Sequence, residues 1–191
     1  MPTLKPLHAA WKRCGRSNDW PAETRLRGGR NGYDSGMTWP TLFKTSAAVA
    51  AAAVTGSLVT RPDSAWYRSL DKPRWQPPPA AFPIVWTTLY GLLAVAGARV
   101  LDRTTGASRA RFARGFGANL VLNAGWTAVF FGARAPRAAL AEITVLNASN
   151  LVLLGQAWRV DRVAAVAIAP YAAWTAFATA LTAAIAARNP R

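Results

Sequence analysis

A chain of 191 residues in which 52% of side chains are hydrophobic and 16% charged has material for one domain but too little charge to cover a water-facing surface. The net charge of +15 invites a nucleic-acid reading, yet Lys and Arg stand at the ends of apolar runs, where they meet anionic headgroups, and no nucleic-acid motif accompanies them. One cysteine, Cys14, and one histidine, His8, exclude an internal disulfide, a thiolate or imidazole metal site and a Ser-His-Asp arrangement; no metal site is expected.

Residues 1–40 are basic and rich in Gly, Ser, Asn and Arg, without an apolar run that could form the core of a secretory signal. They read as a disordered tail, or as sequence ahead of a true start at Met37. Residues 41–191 form the membrane domain. Its organisation follows from gaps between charges: none falls between Lys44 and Arg61, Arg74 and Arg99, Arg114 and Arg134, or Arg162 and Arg188, and only Glu142 interrupts the stretch from Arg137 to Arg159. Each gap can cross a hydrocarbon core, which takes about 17–25 helical residues. The expected spans are 41–60, 83–101, 112–132, 138–158 and 163–187. The first needs Lys44 to snorkel toward the headgroups. The fold class is therefore an all-α integral membrane protein, a bundle of five transmembrane helices; the runs are too long and too uniformly apolar for barrel strands. Five spans put the termini on opposite sides. The Lys and Arg balance favours a cytoplasmic amino terminus only through the tail, and is even without it.

Between the first two spans lies Trp66-Tyr67-Arg68-Ser69-Leu70-Asp71-Lys72-Pro73-Arg74-Trp75-Gln76-Pro77-Pro78-Pro79. Prolines fix its backbone and Trp and Tyr favour the headgroup layer, so it reads as a rigid interfacial cover or, more plainly, as an aromatic belt. Helical geometry at 3.6 residues per turn places Phe82, Trp86, Tyr90 and Leu93 on one stripe of the second span. Asn123, Trp126, Thr127 and Phe130 share a stripe on the third, Asn147, Asn150, Leu151 and Leu154 on the fourth, and Tyr171, Trp174, Ala178 and Thr182 on the fifth. Flat rings, a few amides and a small residue suit an apolar cavity for a planar ligand; ordinary packing with Asn pairs as interhelical glue is the other reading. Ala124, Ala128 and Gly132 form a small-residue ridge on the third span that permits close helix approach in a homodimer. Glu142 has two readings. An acid inside a span is a functional candidate, but a position near the start of its helix, about one and a half turns past Arg137, suits a carboxylate held by the helix dipole and the interface.

The run WYRSLDKPRWQPPPAAFPIVWTTLY at 66–90 closely resembles the signature of the TspO family of translocator or tryptophan-rich sensory proteins, as do Leu122-Asn123-Ala124-Gly125-Trp126 with Phe130-Phe131 and Pro170-Tyr171-Ala172-Ala173-Trp174-Thr175-Ala176-Phe177-Ala178-Thr179. The resemblance covers roughly residues 40–190. It implies a five-helix bundle, commonly dimeric, whose cavity beneath the first loop binds porphyrin, protoporphyrin IX or heme, and isoquinoline or benzodiazepine-type drugs. By matched position it implies a ligand site at Tyr67, Pro77, Trp86, Tyr90, Asn123, Trp126, Phe130, Trp174 and Ala178, with the loop as lid and no required cofactor. Light-dependent degradation of porphyrin in some bacterial members would assign Trp86 and Trp174 as catalytic. The expected function is a porphyrin-binding sensory protein of the bacterial cell membrane; an oxidative enzyme and a transporter are the alternatives. Transport is the least favoured, since inverted repeats and broken helix pairs are absent. The carboxy-terminal sterol motif of animal members lacks its tyrosine here, in the segment from Leu181 to Arg188, and Thr182 stands where many members carry Asn.

Overall fold

The computed structural model describes residues 37–190, so residues 1–36 of the tail expected at 1–40, with Cys14 and His8, lie outside the described residues, and the last two residues of that stretch, Trp39 and Pro40, begin the first helix. Among the described residues six α-helices follow one another: α1 Trp39–Val59, α2 Ala65–Ser69, α3 Ala81–Asp102, α4 Gly106–Thr127, α5 Pro136–Val160 and α6 Arg162–Arg188, with a π-helical turn, Ala128–Gly132, continuing α4. There are no strands among the described residues. Four helices, α1, α3, α5 and α6, are long and apolar enough to cross a membrane. The other long helix, α4, begins six residues before the expected span and carries Arg109, Arg111 and Arg114 in its first turns and Asn119 and Asn123 further on; it falls short of the same apolarity. The loop expected between the first two spans contains the short helix α2, capped by Ser64, whose Oγ accepts from the Tyr67 N–H.

The five long helices pack as a closed ring. α1 lies against α3, α3 against α6, α6 against α5, α5 against α4, and α4 against α1. Small residues and hydroxyls make the close contacts, as membrane helices require where no hydrophobic force draws them together. α1 buries Thr41, Thr45, Val49, Ala52 and Gly56 at four- and three-residue steps, and Thr45 Oγ1 donates across to the Ala94 carbonyl of α3 at 2.9 Å. At Gly97 of α3 a side chain is excluded: a Cβ there would lie 2.9 Å from Cζ of Phe116, whose ring stacks on Phe112 in the core.

Polar groups hold the ring at two levels. Tyr171 Oη donates to Asn119 Oδ1, Asn119 Nδ2 to Asn150 Oδ1 at 2.6 Å, Asn150 Nδ2 to Thr175 Oγ1, and Thr175 Oγ1 to Asn147 Oδ1. The chain of bonds joins α4, α5 and α6, and Asn119, Asn150, Tyr171 and Thr175 are each at most 1% exposed. Each such bond stabilises a membrane bundle by about 0.6 kcal/mol, and an unpaired amide there would cost more. At the other level, Asp161 joins α5 to α6. Its Oδ1 accepts from the N–H groups of Val163 and Ala164 as the α6 N-cap, while Oδ2 takes Arg99 at 2.8 Å and Arg103 at 3.2 Å from the end of α3. Burial pushes the Asp161 carboxyl up, but the Arg99 hydrogen bond, the Ala164 N–H and the two guanidinium charges outweigh it and hold the group below its ordinary value.

Candidate ligand site beneath the first loop

The loop before α3 is shaped by one lysine. Lys72 Nζ donates to the carbonyls of Tyr67 at 2.7 Å, Leu70 at 3.0 Å and Arg68 at 3.4 Å, and lies 4.8 Å from the centre of the Tyr67 ring. These carbonyls include ones that the end of α2 leaves without helical partners. The following Pro73 is buried. A second tie is long-range: Asn189, just past α6, accepts from the Asp71 N–H and donates to the Asp71 carbonyl, both at 3.1 Å. The loop is thus fastened to itself and to the far end of the chain.

Beneath it lies an aromatic assembly. Tyr67 meets Phe130 and Phe131 edge-on or tilted, Trp66 meets Phe130 edge-on, and Trp126 stacks on Phe130 at 5.4 Å. The π turn explains how adjacent Phe130 and Phe131 serve the same cluster. Its Ala133 N–H reaches the Ala128 carbonyl five residues back, and the wider turn changes the angular step that a regular helix would impose. Deeper, Trp86 lies 5.2 Å from Tyr90 and 6.3 Å from Tyr171. The two levels are continuous, because Phe82 meets Trp174 and Trp174 meets Phe177, which in turn meets Trp75 of the loop.

Of the expected site residues, Tyr67, Trp126 and Phe130 therefore lie together below the loop, and Trp86, Tyr90 and Trp174 one level deeper. Asn123 joins α3 to α4, its Oδ1 accepting from Tyr90 Oη at 2.7 Å. Pro77 is half-buried beside Gln76 in the loop, and Ala178 is half-buried on α6, its carbonyl accepting from Thr182 Oγ1. Four residues placed on the stripes of the third and fourth spans point elsewhere. Thr127 packs on Gly56 of α1, Leu151 is 68% exposed on the outer side of α5, and Asn147 and Asn150 belong to the polar chain that binds α5 to α6. Gly132 of the small ridge faces Val59 of α1, whereas Ala128 is exposed and Ala124 half-buried.

Several participants lie outside the expected set of ligand-site residues. Trp66, Trp75, Phe131 and Phe177 extend the assembly, and Lys72 fixes its cover; the aromatic density of the loop and of α6 was the available signal. Four described side chains stand out by what they lack. The indole N–H of Trp126, the amide oxygens of Gln76 and Gln156 and both carboxylate oxygens of Glu142 are buried without a hydrogen-bond partner, although Gln76 Nε2 approaches Tyr67 Oη at 3.4 Å. The Tyr67 hydroxyl is held above its ordinary pKa by burial, partly offset by that contact. Glu142 differs from the interfacial reading of its position, for its carboxylate is shielded rather than set among headgroups and points toward Gly125 of α4.

Residues 45–188, covering α1 to α6 with the loop and the assembly, match the TspO/MBR family. The chain belongs to that family. It is 36% identical over 145 residues to the tryptophan-rich sensory protein of Cereibacter sphaeroides, a match covering 76% of this chain and 89% of that one. It is 37% identical over 139 residues to the tryptophan-rich protein TspO of Chlorobaculum tepidum, covering 71% and 87%. The human translocator protein is 33% identical over 118 residues, covering 61% of this chain and 70% of its own. Family membership and the four apolar helices make the chain an integral, multi-pass membrane protein of TspO type.

Proposed function

We propose that this TspO/MBR protein is a membrane receptor for a porphyrin such as protoporphyrin IX or heme, held among Trp86, Tyr90, Trp126, Phe130 and Trp174 under the loop from Trp66 to Pro79, and that it regulates the handling of that ligand. The observation that carries the reading is the combination of a two-level aromatic interior with buried polar atoms left without partners at Trp126 and Gln76. Large flat rings supply area and orientation for a planar ligand, and a lone N–H and a lone carbonyl oxygen supply the few polar contacts such sites use. Native interiors rarely leave such atoms unpaired, so a bound group that satisfies them is a physical reason for their placement.

The same reading takes α4 with its π turn as a fifth crossing, its three arginines at the headgroup level, because α4 sits in the ring between α1 and α5. It places the protein in a bacterial cell membrane, as the bacterial relatives suggest, and pairs two copies through α4, where Ala128 is exposed and Gly117 meets nothing within 4 Å.

The test is a titration of purified protein with protoporphyrin IX in the dark, followed by tryptophan quenching. Saturable quenching is expected, weakened about tenfold by Trp126→Phe, which keeps the ring and removes the N–H. Absence of saturable quenching refutes the pocket. Illumination of the complex tests the enzymatic alternative: loss of porphyrin absorbance that Trp86→Phe and Trp174→Phe abolish would establish it. Accumulation of porphyrin in sealed proteoliposomes would instead establish transport.

A further inference from the structure

Glu142 is the one acidic residue within the spans expected from the charge gaps, and neither the aromatic reading nor the polar chain through Asn119 and Asn150 uses it. Both carboxylate oxygens are buried and neither has a hydrogen-bond partner. The ion pairs among the described residues gather at Asp161, at the ends of α3 and α5. Oε1 lies 3.8 Å from the point where a side chain on Gly125 would begin, so the carboxylate faces α4 at a residue with no side chain to meet it. On α6, the Tyr171 hydroxyl is already committed to Asn119. α4 thus offers a glycine opposite the carboxylate and, one residue on in sequence, an indole N–H without a partner.

A carboxyl group in this position can keep its proton or accept a donor from outside the chain; in both states it retains a strong acceptor oxygen. An acid within a span that is paired with nothing of its own is a functional candidate by its cost alone. We infer that Glu142, opposite Gly125, is the polar subsite of the bundle interior and takes an N–H donor carried by a planar ligand. The inference rests on the pocket reading above and deepens it: aromatic rings select flatness, and Glu142 selects ligands that present an N–H at that edge. Trp126, whose N–H is also free, supplies the complementary donor one residue along α4 from Gly125. Gly125 leaves the approach open.

The probes are carbazole and dibenzofuran, tricyclic molecules of the same shape that differ in carrying N–H or O at one position. Each is partitioned between lipid nanodiscs containing the full chain and empty nanodiscs. Wild type should prefer carbazole about tenfold, the discrimination expected of a hydrogen bond to an acidic acceptor after desolvation. Glu142→Leu should bind both equally. Its thermal midpoint should be unchanged or higher, since it removes a buried group without a partner. Glu142→Gln, isosteric and still carrying an acceptor oxygen, should fall between them and guards against loss of the leucine variant to misfolding. Equal binding by wild type, or a carbazole preference that survives in Glu142→Leu, overturns the subsite while leaving the pocket standing. Failure of wild type to bind either probe overturns the pocket reading and the subsite with it.

Discussion

Replacing Lys72 with methionine should open the cover without disturbing what lies beneath it. Methionine keeps an unbranched apolar stem but removes every donor, and the Lys72 ammonium spends its three protons on the carbonyls of Tyr67, Leu70 and Arg68. Hydrogen bonds from a charged donor contribute about 1.5–3 kcal/mol apiece. The Arg68 contact is long at 3.4 Å, and Lys72 is only half-buried, so solvent screening reduces the total to a net of about 1–2 kcal/mol. A change of that size raises the open fraction of the loop about 5- to 30-fold. Limited trypsin digestion reads it directly, because cleavage after Arg68 and Arg74 follows the open population when closing is faster than cutting. Exposed Arg134, in the connection between the π turn and α5, serves as the internal reference. Lys72→Met should accelerate cleavage at the two loop sites by the stated factor and leave Arg134 unchanged. An unchanged loop rate, or equal acceleration at all three sites, would refute the assignment of Lys72 as the clamp.

Gly97→Ala should destabilise the bundle in detergent by about 1–2 kcal/mol despite alanine's better helix propensity, because the new methyl would sit 2.9 Å from the buried Phe116 ring; adding Phe116→Leu should recover most of the loss in thermal unfolding, and no recovery would place the clash elsewhere. The Asp161 carboxyl, held below 3.8, contributes stability that is complete well above that value and is lost as pH falls through the lowered folded one. Asp161→Asn should therefore have a lower thermal midpoint than wild type at neutral pH, with the gap closing below about pH 4; a gap independent of pH would count against the ion pairs.

Charge and periodicity encode the span ends and the regular helix faces. The gaps from Arg74 to Arg99 and from Arg162 to Arg188 predicted α3 and α6 to within a few residues, because the cost of a charge in hydrocarbon fixes where a span ends. The stripe Phe82, Trp86, Tyr90 is present for the same reason: 3.6-residue spacing survives wherever the helix is regular. It fails where the backbone departs from regularity. The π turn at Ala128–Gly132 has no marked sequence signal, and it decides which way Phe131 looks. Periodicity also cannot say which neighbour a face meets. Thr127 shares its stripe with Asn123 yet packs on α1, and Leu151 follows Asn150 yet points outward, because the buried face of α5 is narrower than the stripe. Glu142 shows the limit most plainly: its distance from the helix start suggested headgroups, but the side chain leans inward to α4, which depends on the packing of α5 and on the space at Gly125.

The tie between Asp71 and Asn189 also sets an order of events in biosynthesis. The two residues are 118 positions apart, and every long helix after α1 is made in the interval. Contacts of such separation form late, after the intervening loop-closure entropy has been met. The rings of Trp66, Tyr67, Trp126, Phe130 and Phe131 can meet while the chain is still being inserted, but α6 must arrive to add Trp174 and Phe177 and to fasten the cover. A nascent bundle thus exposes these rings before the loop can be latched over them, and under the proposed receptor reading a ligand present during synthesis would meet them unlatched.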